Sequence, residues 1–137
     1  MRSHIMIIDD AIDQLQLMRV VFKMVDPGLE VVIASSGDEA LKSLRSDPDL
    51  RPKVILLDLR MPGKDGKAVL AELKADPDLK RIPVCAFSNG DIEKDVCDCY
   101  EHGASFYFKK PTGLEPLKEF AAHFKSLWFE FASFCPR

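Results

Sequence analysis

Short apolar runs alternate with amphipathic stretches along this chain, and the alternation predicts a parallel β-sheet wrapped by helices. The apolar runs are nearly continuous, as expected for strands that are covered on both faces. They predict five strands, at residues 4–8, 29–34, 53–57, 83–87 and 105–108. Four helices are predicted between the strands, and a fifth closes the chain.

Local signals define several of these helices. The first helix carries one apolar stripe, made of Leu15, Met18, Phe22 and Val25. Ser36 stands three residues before Glu39, which is the spacing of a capping box at the start of the second helix. The third helix is expected over about residues 67–75, the fourth over about 92–102 before a terminating glycine, and the fifth over about 114–132.

Right-handed crossovers in a small five-stranded sheet favour the strand order 2-1-3-4-5, with helices on both faces. We therefore predict a flavodoxin-like, doubly wound α/β fold with three α/β/α layers. In such a sheet, ligands bind beyond the carboxyl ends of the strands, near the switch point between the first and third strands.

The composition favours one globular domain. The chain has 137 residues, of which 47% are hydrophobic and 30% are charged. We expect a single domain over residues 1–137 without an effector domain, because few residues follow the fifth helix. The net charge of −3 provides no basic surface for nucleic acid. No apolar run approaches the roughly 20 residues that span a bilayer, and no signal-peptide core is visible, so a cytoplasmic location without membrane contact is expected.

The four cysteines, Cys85, Cys97, Cys99 and Cys135, match neither a disulfide framework nor the spacing of a zinc site. Cys97 and Cys99 would stand about 200° apart on the fourth helix and so point to different faces. We expect these thiols to be small packing residues without a metal.

Polar side chains stand where the predicted strands end. They are Asp9 and Asp10 after the first strand, Asp58 after the third, Ser88 after the fourth, and Lys109 and Lys110 after the fifth. Taken singly, each has an ordinary explanation as a helix cap, a turn residue or a solvated charge. Taken together, three carboxylates at adjoining strand ends repel one another unless a proton or a cation joins them, and oxygen ligands suit Mg²⁺. A lysine and a hydroxyl suit phosphoryl oxygens, and Asp58 is the best candidate acceptor because it can face both the acidic pair and the lysine.

Four motifs at these strand ends resemble those of bacterial two-component response regulator receiver domains, over nearly the whole chain. They are IIDD (7–10), ILLDLRMPGKDG (55–66), PVCAFSN (83–89) and FYFKKP (106–111). Two families of similar topology fit less well. Haloacid-dehalogenase phosphatases need a second aspartate where Arg60 stands, and flavodoxins need a phosphate loop where this chain has Asp-Asp-Ala-Ile-Asp.

The resemblance implies that Asp58 is the phosphoacceptor. It also implies that Asp9, Asp10 and Asp58 hold Mg²⁺ together with the backbone carbonyl of Arg60. The residue two positions after Asp58 distinguishes this chain within the family pattern, and here it is Arg60. In the family, this position shapes the path of the water that hydrolyses the acyl phosphate. Our hypothesis is that Arg60 shields or pairs with the phosphoryl oxygens and lengthens the life of the acyl phosphate.

The resemblance assigns the remaining site residues as well. Lys110, immediately before Pro111, matches the family's lysine, with Lys109 as its less favoured neighbour. Ser88 matches the switch hydroxyl, and Tyr107 matches the aromatic residue that changes rotamer with it. A cis peptide bond before Pro111 is also implied.

The end of the chain is rich in aromatic residues. At 100° per residue, Phe129 lies opposite the broad apolar stripe that would pack on the sheet. That position suggests either a dimer or partner surface made with the fourth helix, or a harmless exposed aromatic. The stripe itself consists of Leu117, Phe120, Phe124, Leu127, Trp128, Phe131 and Phe134.

The function implied is that of a single-domain response regulator rather than an enzyme. A sensor histidine kinase would be the phosphodonor, and the domain itself would catalyse phosphoryl transfer and its own dephosphorylation. The signal would leave through a downstream protein that binds helix 4, strand 5 and helix 5, and a homodimer is possible. The aromatic end and residues 76–83 also resemble regulators that serve bacteriophytochrome-type kinases. Two alternatives stay open: a phosphorylation-independent pseudo-receiver scaffold, and a phosphorelay intermediate that passes its phosphoryl group to a histidine phosphotransfer protein.

Overall fold

The computed structural model describes residues 4–89 and 93–134, and there five parallel strands form one sheet. The strand order is β2-β1-β3-β4-β5, which confirms the predicted topology. Each strand agrees with its prediction to within one residue at either end. The strands are β1 (His4–Ile8), β2 (Glu30–Ala34), β3 (Val54–Leu57), β4 (Val84–Ser88) and β5 (Phe106–Lys109).

Five α-helices connect and flank the strands. They are α1 (Ile12–Val25), α2 (Gly37–Ser46), α3 (Gly66–Ala75), α4 (Glu93–Glu101) and α5 (Leu114–Lys125). The predicted first residue of the fourth helix, Ile92, lies outside the described residues. Gly103 follows α4 with a φ of 100°, a conformation that glycine adopts without steric cost, and this confirms it as the terminating residue. None of the helices in the described ranges is long and apolar enough to cross a membrane.

Two apolar cores lie on the opposite faces of the sheet. Because successive side chains of a strand point to opposite faces, Ile5 and Ile7 pack with α1 and α5, whereas Met6 and Ile8 pack with α2, α3 and α4. Both faces of the inner strands are therefore covered. This explains why their sequences are continuously apolar instead of alternating.

The start of α2 is capped as its sequence predicts. The Ser36 hydroxyl accepts a hydrogen bond from the Glu39 N–H at 3.1 Å. The Glu39 carboxylate turns to Ser35, whose hydroxyl donates to it at 2.8 Å. The capping residues thus hold the end of β2 against α2, on the far side of β1 from the switch point.

The C-terminal helix departs from the prediction. After α5 the chain continues as a π-helix, Ser126–Phe131, whose wider turn shifts the phase of the side chains. Phe129 is therefore half-buried against the core of α1 and α5, while Leu127 and Phe131 are 59% and 78% exposed. The expectation of an exposed Phe129 and of buried Leu127 and Phe131 is wrong, because it assumed an unbroken α-helix.

Two of the cysteines test the expected geometry of the fourth helix. Cys97 is exposed and Cys99 is buried, which confirms that they face different sides of α4. Burial raises the pKa of the Cys99 thiol to about 11 and that of Cys85 to about 12, so both stay protonated at neutral pH. Cys135 lies outside the described residues.

Candidate functional site

The carboxyl ends of β1, β3, β4 and β5 bring the predicted polar residues to one place. Asp58 follows β3, and its N–H donates to the carbonyl of Ile8 at the end of β1. The N–H of Lys110 likewise donates to the carbonyl of Ser88 at the end of β4. Parallel register therefore fixes these side chains at one edge of the sheet.

Lys110 contacts two of the acidic residues. Its ammonium lies 2.5 Å from Oδ2 of Asp9 and 3.5 Å from Oδ2 of Asp58. Lys110 is buried, whereas Lys109 is exposed, and this difference favours Lys110 as the lysine of the site. The peptide bond before Pro111 is trans, contrary to the expectation of a cis bond.

Asp58 is buried among polar partners. Its Oδ1 accepts hydrogen bonds from the Arg60 N–H at 3.1 Å and from the Ser88 hydroxyl at 3.4 Å. Burial raises the pKa of Asp58 above its usual value, and the Arg60 N–H and the charge of Lys110 oppose that rise. The carboxylate is thus held in place by weak, replaceable contacts rather than locked in one strong ion pair.

Gly66, the first residue of α3, lets that helix approach Asp58 closely. A Cβ at Gly66 would lie 2.3 Å from the carbonyl oxygen of Asp58 and 2.5 Å from Cα of Leu59. The Gly66 N–H also donates to the carbonyl of Leu59 at 3.1 Å. The sequence pattern assigns no role to this glycine, because only the folded chain shows how near α3 comes to Asp58.

The acidic cluster has the composition of a site for a hard divalent cation. One carboxylate oxygen from each of Asp9, Asp10 and Asp58 lies within 4.8 Å of the others. Asp9 and Asp58 are buried, and Asp10 is exposed at the mouth of the site. Among the described contacts, the Lys110 ammonium pairs with Asp9 and Asp58, so with all three carboxylates ionised they exceed the charge of that ammonium by two. Oxygen ligands with that excess fit Mg²⁺, Mn²⁺ or Ca²⁺.

Tyr107 and Ser88 connect the site to the outer strand. Tyr107 is half-buried on β5, and a hydrogen bond joins its phenol to the Ser88 side chain. Burial raises the pKa of Tyr107, and the contact with Ser88 opposes this rise. The Tyr107 N–H also donates to the Tyr100 hydroxyl of α4 at 3.2 Å. Ser88 therefore contacts both Asp58 and the residue that the resemblance names as its switch partner.

The Arg60 side chain does not face Asp58. Its guanidinium lies 2.6 Å from Oδ2 of Asp95 on α4. Asp95 is shared with Lys67 of α3, which also contacts Asp98. These contacts were not predicted from the sequence, since no local pattern links a loop residue to a helix that begins more than thirty residues later along the chain.

Comparison with known proteins agrees with this arrangement. The profile of the response regulator receiver domain matches residues 5–122. Response regulator Rcp1 of Synechocystis is 35% identical over 130 residues, which span 92% of this chain and 88% of Rcp1. The solved structure of the phosphorylated cyanobacterial phytochrome response regulator RcpA is 32% identical and superposes with a TM-score of 0.91 over 99% of this chain and 100% of RcpA.

A structure of Rcp1 in its Mn²⁺-bound form is also similar, with 33% identity and a TM-score of 0.86 over 98% of this chain and 99% of that one. The family model covers most of the chain, Rcp1 and RcpA match along 88% and 100% of their own lengths, and the fold and strand order are those expected. This chain belongs to the family of response regulator receiver domains.

Proposed function

We propose that this protein is a phosphorylation switch in which Asp58 accepts a phosphoryl group from a phosphohistidine of a sensor histidine kinase. The observation that supports this most directly is the position of Asp58, buried between the acidic cluster, Ser88 and Lys110. Phosphoryl transfer needs an in-line nucleophile and neutralisation of charge on the transferred oxygens, and little else from the protein. The site contains a part for each of these tasks.

The transfer itself is a displacement at phosphorus. A carboxylate oxygen of Asp58 forms the new bond to phosphorus, the bond from phosphorus to the donor imidazole nitrogen breaks, and that nitrogen keeps the electron pair. Lys110 and the Ser88 hydroxyl would receive the phosphoryl oxygens, each after a small shift from its present contact with Asp58. Hydrolysis reverses the state, as water attacks phosphorus and the Asp58 carboxylate leaves. The domain would thus catalyse its own phosphorylation and dephosphorylation.

Mg²⁺ is the proposed cofactor, held by Asp9, Asp10, Asp58 and the backbone carbonyl of Arg60. When bound, it would neutralise charge on the phosphoryl oxygens and relieve the repulsion among the carboxylates. The excess negative charge of the cluster and the Mn²⁺-bound form of Rcp1 support a divalent cation at this place.

The signal would leave through α4, β5 and α5. Movement of Ser88 toward a phosphoryl group would break its contact with Tyr107 and so alter the packing of β5 against α4. Among its described residues, α4 buries only Cys99 in the core, so little apolar packing opposes its displacement. A downstream protein, or a second copy of this chain, would bind the altered surface of α4, β5 and α5.

We also propose that the phosphodonor is a phytochrome-type kinase. RcpA is described as a phytochrome response regulator, and the similarity to it extends over 99% of this chain. Among the alternatives, a pseudo-receiver scaffold is disfavoured because a site without chemistry has no physical need to keep three repelling carboxylates. A phosphorelay intermediate would use the same residues and differs only in what accepts the phosphoryl group next.

Intact-mass measurement tests the proposal. The protein is incubated with Mg²⁺ and acetyl phosphate, beside a chelated sample, an Asp58→Ala variant, and Asp49→Asn as a matched change of an exposed aspartate. We expect one phosphoryl adduct in wild type and Asp49→Asn, and none with Asp58→Ala or without the metal ion. Absence of an adduct in wild type, both with acetyl phosphate and with a phosphorylated histidine kinase, would refute the switch and favour the scaffold.

A further inference from the structure

A group of charged side chains beside the phosphoacceptor links three segments of the protein. We call Arg60, Lys67, Asp95 and Asp98 the Arg60 cluster. Arg60 follows β3, Lys67 lies on α3, and the two aspartates lie on α4. The Arg60 guanidinium contacts Asp95 at 2.6 Å, and the Lys67 ammonium contacts Asp95 at 3.0 Å and Asp98 at 2.9 Å.

The backbone of Arg60 is held beside Asp58, whereas its side chain points away from Asp58. Its backbone N–H donates to Asp58, so its Cα stands beside the phosphoacceptor. Its side chain is 56% exposed and borders a cavity of about 320 Å³ that Asp65, Lys67 and Asp95 also line. An arginine side chain is long and flexible, and the cavity leaves it room to swing about its fixed backbone.

We propose that Asp95 is a positioning residue that holds the Arg60 guanidinium away from Asp58 until a phosphoryl group is present, and so couples the life of that group to the position of α4. This inference rests on the proposed phosphorylation of Asp58. A phosphoryl group brings up to two negative charges and three acceptor oxygens, which a guanidinium can bind with two parallel hydrogen bonds. A single carboxylate with a second cation beside it competes poorly with that acceptor.

Lys67 makes the exchange of partners inexpensive. When Arg60 leaves, Asp95 keeps its contact with Lys67, so its largely buried carboxylate, which is 13% exposed, is not left without a cation. Hydrogen bonds from Lys67 and Arg60 lower the pKa of Asp95, and it remains charged through neutral pH. The cluster therefore has two arrangements in which every charge is paired, and this is what a switch requires.

The consequence for dephosphorylation follows from where Arg60 would go. Hydrolysis requires water to approach phosphorus opposite the bond to Asp58, and a guanidinium on the outer oxygens would cover part of that approach. Release of Arg60 from Asp95 also removes an ionic contact between α4 and the segment after β3. A partner that binds α4 and displaces Asp95 would lengthen the phosphorylated state, whereas one that strengthens the Asp95–Arg60 pair would shorten it.

A double-mutant cycle tests the coupling. Wild type, Arg60→Ala, Asp95→Asn and the double variant are phosphorylated with acetyl phosphate, the donor is removed, and the first-order loss of the adduct is followed by intact mass. We expect Arg60→Ala to shorten the half-life and Asp95→Asn to lengthen it, each by about two- to fivefold, the range expected for a partly exposed ion pair. In the Arg60→Ala background, Asp95→Asn should change nothing.

Asp98→Asn is the matched control, because Asp98 lies on the same helix and contacts Lys67 but not Arg60. It should leave the half-life within about 1.5-fold of wild type, well below the effect of an ion pair. An equal effect of Asp95→Asn with and without Arg60, or a longer half-life in Arg60→Ala, overturns the inference while phosphorylation itself stands. If wild type takes up no phosphoryl group from any donor, the proposed function fails and the inference fails with it.

Discussion

Replacement of Gly66 by alanine should displace Asp58 more than the corresponding changes at Gly37 or Gly28. The new Cβ would lie 2.3 Å from the Asp58 carbonyl oxygen, 2.5 Å from Cα of Leu59 and 3.0 Å from the Asp58 carbonyl carbon. All three are backbone atoms, so no side chain can rotate away and either α3 or the segment after β3 must move. Overpacking of this kind costs about 1–3 kcal/mol. Weakening of the hydrogen bond from the Gly66 N–H to the Leu59 carbonyl adds about 1 kcal/mol.

We therefore expect Gly66→Ala to lower the free energy of unfolding by about 2–4 kcal/mol, which leaves a domain of ordinary stability folded. The shift of Asp58 should also slow phosphorylation by acetyl phosphate by about tenfold or more, since a displacement of about 1 Å can cost a hundredfold. Urea unfolding followed by circular dichroism measures the first effect. The rate of adduct formation, followed by intact mass, measures the second.

Two other glycines serve as graded controls. In Gly37→Ala the new Cβ would meet Cγ2 of the buried Val69 at 2.3 Å and the Lys64 carbonyl oxygen at 3.3 Å, so we expect a loss of stability of about 1–3 kcal/mol. The phosphorylation rate should stay unchanged, because neither contact involves Asp58. In Gly28→Ala the nearest atom lies at 3.6 Å, and the change should stay within about 0.5 kcal/mol. If Gly66→Ala behaves like Gly28→Ala in both assays, the close approach of α3 to Asp58 does not hold the site in place.

Further variants test the charges and the packing around the site. Burial raises the pKa of Asp58 in the folded protein, so stability falls as the pH rises from the usual aspartate pKa through this raised pKa, and the loss is complete above it. Asp58→Asn should therefore stabilise the metal-free protein at pH 7 by about 1–3 kcal/mol. This gain should vanish as the pH falls below the usual pKa range of aspartate. Urea unfolding at several pH values measures the gain, and a gain that does not change with pH would contradict the prediction. Arg51 donates from one nitrogen to the carbonyls of Leu44, Asp47 and Leu50, so Arg51→Ala should cost about 2–4 kcal/mol in thermal unfolding, against about 0.5 kcal/mol for the exposed Arg45→Ala. Equal losses of stability in Arg51→Ala and Arg45→Ala would show that the hydrogen bonds of the Arg51 guanidinium do not stabilise the fold.

The local pattern predicted the elements and the order of the sheet. Each strand prediction lies within one residue of the observed strand, because burial on both faces leaves continuous apolar runs that polar loops interrupt sharply. The capping residue Ser36 and the terminating Gly103 act within their own neighbourhoods, so their roles could be read from sequence. The end of the chain could not be predicted in this way. The change from α- to π-helix at Ser126 alters which side of the helix faces the core, and Phe129 then lies against that core.

The sequence by itself also determined which residues would meet, because parallel strands bring their carboxyl ends to one edge and Asp9, Asp58, Ser88 and Lys110 stand at those ends. Only the tertiary structure decided how their side chains are paired. It buried Lys110 and left Lys109 exposed, brought the backbone of α3 against Asp58 at Gly66, and placed the Arg60 side chain on Asp95, thirty-five residues further along the chain. The reason is physical: burial periodicity is a property of neighbouring residues, whereas the partner of a charge depends on the separation of elements that only packing of the whole domain establishes.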